Sequence, residues 1–188
     1  MALPLVTGAA EDAMSDTARC EFRGVAYIHR WVDKDQHEYT PEGQEDLERW
    51  SDMITINLHR AAKDGDALAN VANGVLENYK SAGGRVIRTD SKPRTDTSPA
   101  EHLVVVIFPQ PTMIEIAFAR FMLVDGMGCV VVYSRREYGE KIGPRVSAWL
   151  QENGPKIEQE LMEWKRFPAP RALLELSSAE RSDVKPSQ

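Results

Sequence analysis

The chain has 188 residues, of which 42% are hydrophobic, and its formal net charge is −6 at pH 7. This length and composition suffice for one folded domain with a buried core. The acidic balance and the lack of clustered Lys and Arg argue against nucleic-acid binding, because a phosphate-binding surface carries basic side chains along one face. No run of about 20 apolar residues is present, so the sequence predicts a soluble protein that does not span a membrane.

The ends of the chain differ in composition from its middle. Residues 1–10 are apolar but lack the basic start and the full apolar run of a secretory signal. The predicted compartment therefore stays open: periplasmic or exported if an upstream signal was lost, and cytoplasmic otherwise. We expect a flexible segment at residues 1–21, a single domain at residues 22–167 and a flexible tail at residues 168–188, where two prolines and a Ser-rich end favour mobility.

The first third of the chain predicts strands. Residues 22–31 form the first predicted strand, and the Asp-containing segment 32–36 suits a hairpin loop that leads into a second strand near Tyr39. Residues 53–59 alternate in hydrophobicity, which indicates a further strand. The two cysteines, Cys20 and Cys129, are too few for a disulfide framework or for a thiolate zinc site.

A helix is predicted over residues 66–81, where apolar residues recur at helical spacing. Asp64 or Asp66 can cap its start, and Gly83 with Gly84 can end it. A short strand at residues 85–89 and a polar loop at residues 91–100, which contains two prolines, follow this helix.

Three strand-like runs then follow one another, at residues 102–108, 113–124 and 128–134. Short turn segments separate them, so an antiparallel meander is the simplest topology. Both faces of the middle run are apolar, which implies a central strand covered on each side. Residues 141–164 carry a helical stripe that can supply cover, and Pro155 predicts a kink or a break in it. The predicted fold class is therefore α+β, an antiparallel sheet covered by helices.

Metal, cofactor and catalytic motifs are missing from the sequence. The four histidines, His29, His37, His59 and His102, lack the spacing that places two ligands on one helical face. No GxSxG elbow or phosphate-cradling glycine loop is present. His37 and Glu38 lie near Asp33 and Asp35, which suggests a weak cation site at a hairpin tip, although a solvated turn explains the same residues. We predict no metal site, no cofactor and no catalytic residue.

Six residues are candidates for contact with a ligand or a partner. Glu115 lies between two isoleucines of the central strand, so it either pairs with another strand or lines a cavity. Four aromatic residues could form an aromatic wall, although such residues more often fill a core. These aromatic residues are Trp31, Tyr39, Trp50 and Tyr133, and His37 completes the set.

The order of elements resembles the PsbP/Mog-like α-β-α sandwich, which also includes DcrB-type lipoproteins and a Ran-binding protein. The segments HEYTPEGQEDLERWSDMITINLH, at residues 37–59, and YSRREYG, at residues 133–139, are similar to those of small bacterial proteins that are often exported. The resemblance covers about residues 22–165. It implies a helix-covered antiparallel sheet and an accessory role, and it assigns a function to no residue.

Three hypotheses for the function follow. The first is a non-enzymatic binding or accessory module that engages a protein partner or a small ligand through the sheet face or a groove beside the C-terminal helix. The second is a hydrolase whose site forms only in the tertiary structure, with His37, His59 or His102 beside Glu115 or Asp52. The third is a structural envelope protein, which would have neither a deep pocket nor a large apolar patch.

Overall fold

The computed structural model describes residues 17–183, and side chains are described as far as residue 178. Within these residues the chain forms one eight-stranded antiparallel sheet with helices packed on both faces. The strands are β1 (Arg19–Phe22), β2 (Val25–Asp33), β3 (Gln36–Pro41), β4 (Asp52–His59), β5 (Arg85–Lys92), β6 (Glu101–Gln110), β7 (Met113–Val124) and β8 (Met127–Tyr138). The helices are α1 (Gly65–Ser81), α2 (Gly143–Glu163) and α3 (Pro170–Asp183).

The strand order is β1-β2-β3-β4-β8-β7-β6-β5. Two antiparallel meanders, β1–β4 and β5–β8, are joined side by side where β4 pairs with β8. The α+β class with a helix-covered antiparallel sheet is thus confirmed, as is the predicted meander of the three core strands.

The N-terminal boundary differs from the prediction. Most of the segment predicted to be flexible, residues 1–16, lies outside the described residues. Its last part forms β1, in which Cys20 and Phe22 are buried against the sheet. A tight turn with positive φ at Arg23 and Gly24 ends β1, so the predicted strand at residues 22–31 is a hairpin arm that begins only after this turn.

Helix α1 begins and ends close to the predicted positions. The Asp64 side chain accepts a hydrogen bond from the Ala67 backbone N–H at 2.8 Å, as an N-cap does. After the helix, Gly83 adopts a positive φ of 83°. At Gly84 a Cβ atom would lie 2.7 Å from the Tyr79 carbonyl oxygen and from a Val106 methyl, so only glycine lets this end of α1 approach β6 so closely.

Helix α2 is continuous, although the sequence predicted a kink or two helices. Pro155 lies inside it and removes one backbone donor. Val146, Ile157 and Leu161 continue one buried stripe on both sides of the proline. Burial of this stripe stabilises the continuous helix against the proline's cost of about 3 kcal/mol.

The C-terminal residues were predicted to be a flexible tail, and for Pro170–Asp183 this is wrong, because these residues form α3. Leu173 of α3 is fully buried in the main core, and Ser177 is almost fully buried. The small apolar patch around Leu173 therefore packs against the sheet, and the prolines act as helix start signals rather than as signs of mobility.

The two faces of the sheet carry different cores. The larger core lies beneath α2 and α3 and includes Tyr39, Ile54, Phe118 and Tyr133. We call this side the two-helix face. The smaller core lies beneath α1 on the other side, which we call the α1 face, and α1 packs there mainly on β5, β6 and β7. The predicted double-sided burial of β7 is confirmed.

Candidate functional site

Within residues 17–183, no helix lies over half of the α1 face. A row of cross-strand neighbours on this face runs through Trp31, Glu38, Thr55, Val132, Ala119 and Val104. Val104, Ala119 and Val132 are buried, whereas the Trp31 side of the row is progressively exposed and Trp31 itself is 39% exposed. We call the uncovered part, with Trp31, Gln36, Glu38, Thr55 and Asn57, the open half.

Acidic residues are concentrated around the open half. Residues 33–52 contain eight acidic and two basic residues, a formal charge of −6 that equals the charge of the whole chain. Arginines from other segments match three of these acids, in the pairs Asp35–Arg60, Glu45–Arg30 and Asp52–Arg135. Four more are exposed and make no ion pair with any described residue: Asp33, Glu42, Asp46 and Glu48. We call these four the acidic rim, since they flank the two ends of β3: Asp33 ends β2, and the other three lie in the loop between β3 and β4.

A cleft of about 540 Å³ lies where the open half meets the C-terminal end of α1. Strand β4 contributes Thr55 and Asn57 to its wall, and β8 contributes Ser134. These residues face the same way because Thr55 pairs with Val132, which lies two residues from Ser134 on the same face of β8. The cleft is therefore a product of strand register together with the early end of α1.

Three side chains of the cleft have unused hydrogen-bonding capacity. The side chains of Thr55, Asn57 and Ser134 make no hydrogen bond to any described residue. Ser134 is only 5% exposed as a residue, but its hydroxyl lines the cleft and stays accessible from that side. Such a group is normally satisfied by water or a ligand, so the cleft offers a polar wall to a small molecule.

Glu115 lies at the edge of this cleft and has a partner on the next strand. Its Oε2 accepts a hydrogen bond of 2.9 Å from the Arg136 Nε, and the two residues are direct cross-strand neighbours. The Arg136 guanidinium lies 4.0 Å from the centre of the Trp50 ring. Of the two interpretations of Glu115, the cross-strand ion pair is thus present, and the same side chain also lines a cavity.

Tyr79 of α1 closes one side of the cleft. Its ring packs edge-on against Phe108 with 5.4 Å between ring centres. Burial, together with the nearby Glu115 carboxylate, raises the pKa of Tyr79 to about 12. The hydroxyl is therefore protonated at neutral pH, when it can donate a hydrogen bond.

Tyr133 lies on the opposite side of the sheet, within the larger core. Its hydroxyl donates to Asp52 Oδ1 at 2.7 Å, and Arg135 pairs with the same carboxylate at 3.3 Å. Burial, followed by the Asp52 charge, raises the pKa of Tyr133 well above its ordinary value. Asp52 thus serves as the shared acceptor of a structural pair, and Tyr133 is not an activated group.

His37 and Tyr39 are fully buried on the two-helix face. His37 Nδ1 lies 3.3 Å from the Nε2 atom of His29, and its own Nε2 lies 3.0 Å from the Ser177 hydroxyl of α3. Burial, with a smaller contribution from His29, lowers the pKa of His37 to about 4. His37 therefore joins α3 to the β2–β3 hairpin, and the solvated hairpin turn considered for it is wrong because α3 covers the residue.

The six candidate residues do not form one aromatic wall. Trp31 and Glu115 lie on the α1 face, and Trp50 contacts Arg136 there. The two-helix face carries the other three, His37, Tyr39 and Tyr133. Successive residues of a strand point to opposite faces of the sheet, so candidates that are close in sequence can lie on different faces. Tyr39 and Tyr133 are core residues, as the alternative interpretation of the aromatic residues predicted.

The convergence expected for a hydrolase does not occur among the described residues. Asp52 and Glu115 are each held by an arginine, and no histidine lines the cavity beside either of them. His59 lies at the end of β4, and burial lowers its pKa. His102 instead hydrogen-bonds to Ser91 at the far side of the sheet.

The described part of the chain contains no cluster of three or more His, Cys, Asp or Glu side chains suited to a metal ion. Cys20 and Cys129 are both buried, and they form no disulfide. None of the helices at residues 17–183 is long and apolar enough to cross a membrane.

No protein-family model matches the sequence, and no curated protein matches it. Among solved structures, the Saccharomyces cerevisiae Ran-binding protein Mog1p matches with a TM-score of 0.41 and 13% identity over 85% of this chain and 89% of that chain. A mutant of protein Mog1 matches with a TM-score of 0.40 and 12% identity over 85% of this chain and 90% of that chain. Human STARD10 matches with a TM-score of 0.30 and 10% identity over 95% of this chain and 84% of that chain.

These matches include a Ran-binding protein and human STARD10. None of them supports the expected relation to bacterial exported proteins. Their identities and TM-scores transfer no role to any residue of this chain.

Sequence reasoning missed the acidic rim and the three polar residues of the cleft. A running count of charge finds the rim, because residues 33–52 alone account for the net charge. Thr55 and Asn57 alternate with the apolar residues of β4, so their common face was also readable. The sequence did not show that α1 leaves this face uncovered.

Proposed function

We propose that this protein is a non-enzymatic binding module that docks a protein partner with a basic surface on its open half. The observation that carries the proposal is the uncovered row of β2, β3 and β4, which ends in the exposed Trp31. Exposed tryptophan is enriched among the residues that dominate binding energy at protein interfaces.

Charge supports the choice of partner. Glu38 lies directly opposite Trp31, and the four carboxylates of the acidic rim follow in sequence at the two ends of β3 and make no ion pair with any described residue. A basic partner surface would supply the missing counter-charges and would be steered towards this side of the molecule. Contacts of this kind weaken as salt concentration rises.

The test is affinity capture from a lysate of the source cells, with the purified chain, W31A and I87A compared in parallel. Ile87 is an exposed apolar residue of β5, 47% exposed, and therefore provides a matched control away from the open half. We expect one saturable partner that I87A retains, that W31A loses by at least about tenfold in affinity, and that elutes with salt.

A second variant tests the charges separately. Reversal of two rim carboxylates in E42K/D46K should slow association with the captured partner and remove most of its salt dependence. A partner that binds W31A and E42K/D46K as tightly as it binds the wild type would overturn the proposal, as would the capture of no saturable partner at all.

A further inference from the structure

The cleft beside α1 carries hydrogen-bonding groups that the proposed protein docking, which is based on Trp31 and the acidic rim, does not use. It is about 540 Å³ in volume, which lies within the usual range for small-molecule sites. Its wall combines the aromatic ring of Tyr79 with hydroxyl and amide groups from β4 and β8.

Anionic ligands do not fit this wall. Among the described residues, no lysine or arginine lines the cleft, and Glu115 is the one charged residue that does. A phosphate or carboxylate placed there would lose its hydration and would face a like charge without any compensating cation. Nucleotides, sugar phosphates and organic acids are therefore excluded as preferred ligands.

A cationic ligand gains little from the same wall. The carboxylate of Glu115 already pairs with Arg136 at 2.9 Å, so the local charge is balanced. A wholly apolar ligand is disfavoured for the opposite reason, because it would cover Thr55, Asn57 and Ser134 and leave their polar groups without partners.

The remaining class is a neutral molecule with several hydroxyl groups. The hydroxyls of Thr55 and Ser134 each donate and accept hydrogen bonds, and the amide of Asn57 does both. A sugar or cyclitol presents donors and acceptors around a ring, and its less polar face can lie on Tyr79. The Ser134 hydroxyl lines the cleft and makes no hydrogen bond to any described residue, so it can both donate to and accept from such a ligand.

We propose that this cleft is a binding site for a neutral polyhydroxylated small molecule, such as an uncharged monosaccharide or a cyclitol. Ser134, Thr55 and Asn57 supply the hydrogen bonds, and Tyr79 supplies the aromatic wall. This site shares Gln36, Thr55 and Asn57 with the open half, whereas Trp31 and the acidic rim do not line it, so the two proposals can be tested separately.

The experiment is a titration of the ¹⁵N-labelled full chain with glucose, galactose, mannose and myo-inositol, followed by NMR. Binding of at least one of these probes should shift the side-chain amide signals of Asn57 and Gln110, both of which line the cleft. Glucose 6-phosphate and galactose 1-phosphate serve as charged counterparts, and each should bind at least about tenfold more weakly than its parent sugar.

Two conservative variants test whether hydroxyl groups of the cleft wall bind the ligand. S134A and T55V each remove one hydroxyl, and each should weaken binding of the active probe about fivefold, the value for one neutral hydrogen bond. T89V is the matched control, because Thr89 is an exposed residue of β5 outside the cleft, in register with the buried Val104. Thermal unfolding of each variant shows that it is folded.

The proposal is overturned if none of the four uncharged probes shifts these signals, if the phosphates bind as well as the sugars, or if T89V weakens binding as much as T55V does. W31A separates the two proposals. It should bind the probe as the wild type does even though it loses the protein partner, so either proposal can fail without the other.

Discussion

The same strands are buried to different extents on the two faces of the sheet. On the two-helix face, the row Tyr39, Ile54, Tyr133, Phe118 is buried from end to end. On the α1 face, the adjacent row is buried only as far as Val132 and then passes through Thr55 and Glu38 to the exposed Trp31. Two helices cover one face almost completely, and one helix covers half of the other. Stability is thus concentrated on the first face, and groups free for recognition lie on the second.

Loss of Arg120 should have the largest effect on stability. Its guanidinium, 6% exposed, bonds to Glu101 and to the carbonyl oxygens of Leu161 and Trp164 at the end of α2. R120M leaves a carboxylate and two carbonyls without this partner, so the free energy of unfolding should fall by about 4 kcal/mol. Chemical denaturation measures the change.

The matched variant R136M removes an arginine from the α1 face. Arg136 pairs with Glu115 there and is more exposed than Arg120. The expected loss is about 1 kcal/mol. Equal losses in R120M and R136M would contradict the division of the sheet into a stabilising face and an open one.

Truncation of a buried side chain of α3 should have the next largest effect on stability. L173A creates a cavity in the main core, because Leu173 is fully buried, and should lower the free energy of unfolding by about 3 kcal/mol. Leu176, on the same helix but only half-buried, is the control, and L176A should cost less than about 1 kcal/mol. If L173A has no effect on denaturant unfolding, α3 does not belong to the folded core.

His37 makes stability depend on pH. Its pKa of about 4 in the folded protein lies below the ordinary value of 6.5, so the folded state takes up this proton less readily than the unfolded chain does. The stabilisation is present above about pH 6.5 and is lost as pH falls towards 4, and it amounts to about 3 kcal/mol.

The variant H37Q isolates this contribution. Glutamine keeps a hydrogen-bonding group beside Ser177 and His29 but takes up no proton in this range. Denaturation at pH 7 and pH 4 should show a smaller loss for H37Q than for the wild type, although both lose stability as carboxylates are protonated. Identical losses would mean that burial of His37 does not set the pH dependence.

Replacement of Trp31 should have the smallest effect on stability. Trp31 is an exposed end of its row, so W31A should change the free energy of unfolding by no more than about 0.5 kcal/mol. Denaturation curves of W31A and wild type test this directly. A loss above about 2 kcal/mol would show that Trp31 packs as a core residue and would remove it from the recognition surface.

The sequence predicted the elements with strong local patterns. The helix at α1 and the strands β6, β7 and β8 follow from periodicity and turn residues alone. Prediction from the sequence failed for elements whose structure depends on long-range packing. Pro155 is accommodated because the buried stripe of α2 continues past it, and α3 forms because Leu173 finds a place in a core built by distant strands.

The candidate residues show the same limit. Glu115 was singled out correctly as a polar group on a central strand, and its partner Arg136 follows from strand register that one sequence does not specify. His37 and Trp31 are only six residues apart, but they lie on opposite faces of the sheet. A register shift in β2 and the alternation of side chains along β3 cause this difference. Their separation therefore depends on a bulge, for which the sequence carries no clear signal.

The junction of β4 with β8 also has a consequence for how the chain folds. Each meander is built from local pairs, whereas this junction pairs residues as far apart as Asp52 and Arg135. Chain closure over such a separation is slow compared with hairpin formation. We therefore expect the two halves to form first, each with an open strand edge, and their joining to limit the folding rate. During synthesis, β4 must wait for the last strand of the sheet, and its unpaired edge is the part of the nascent chain most exposed to aggregation.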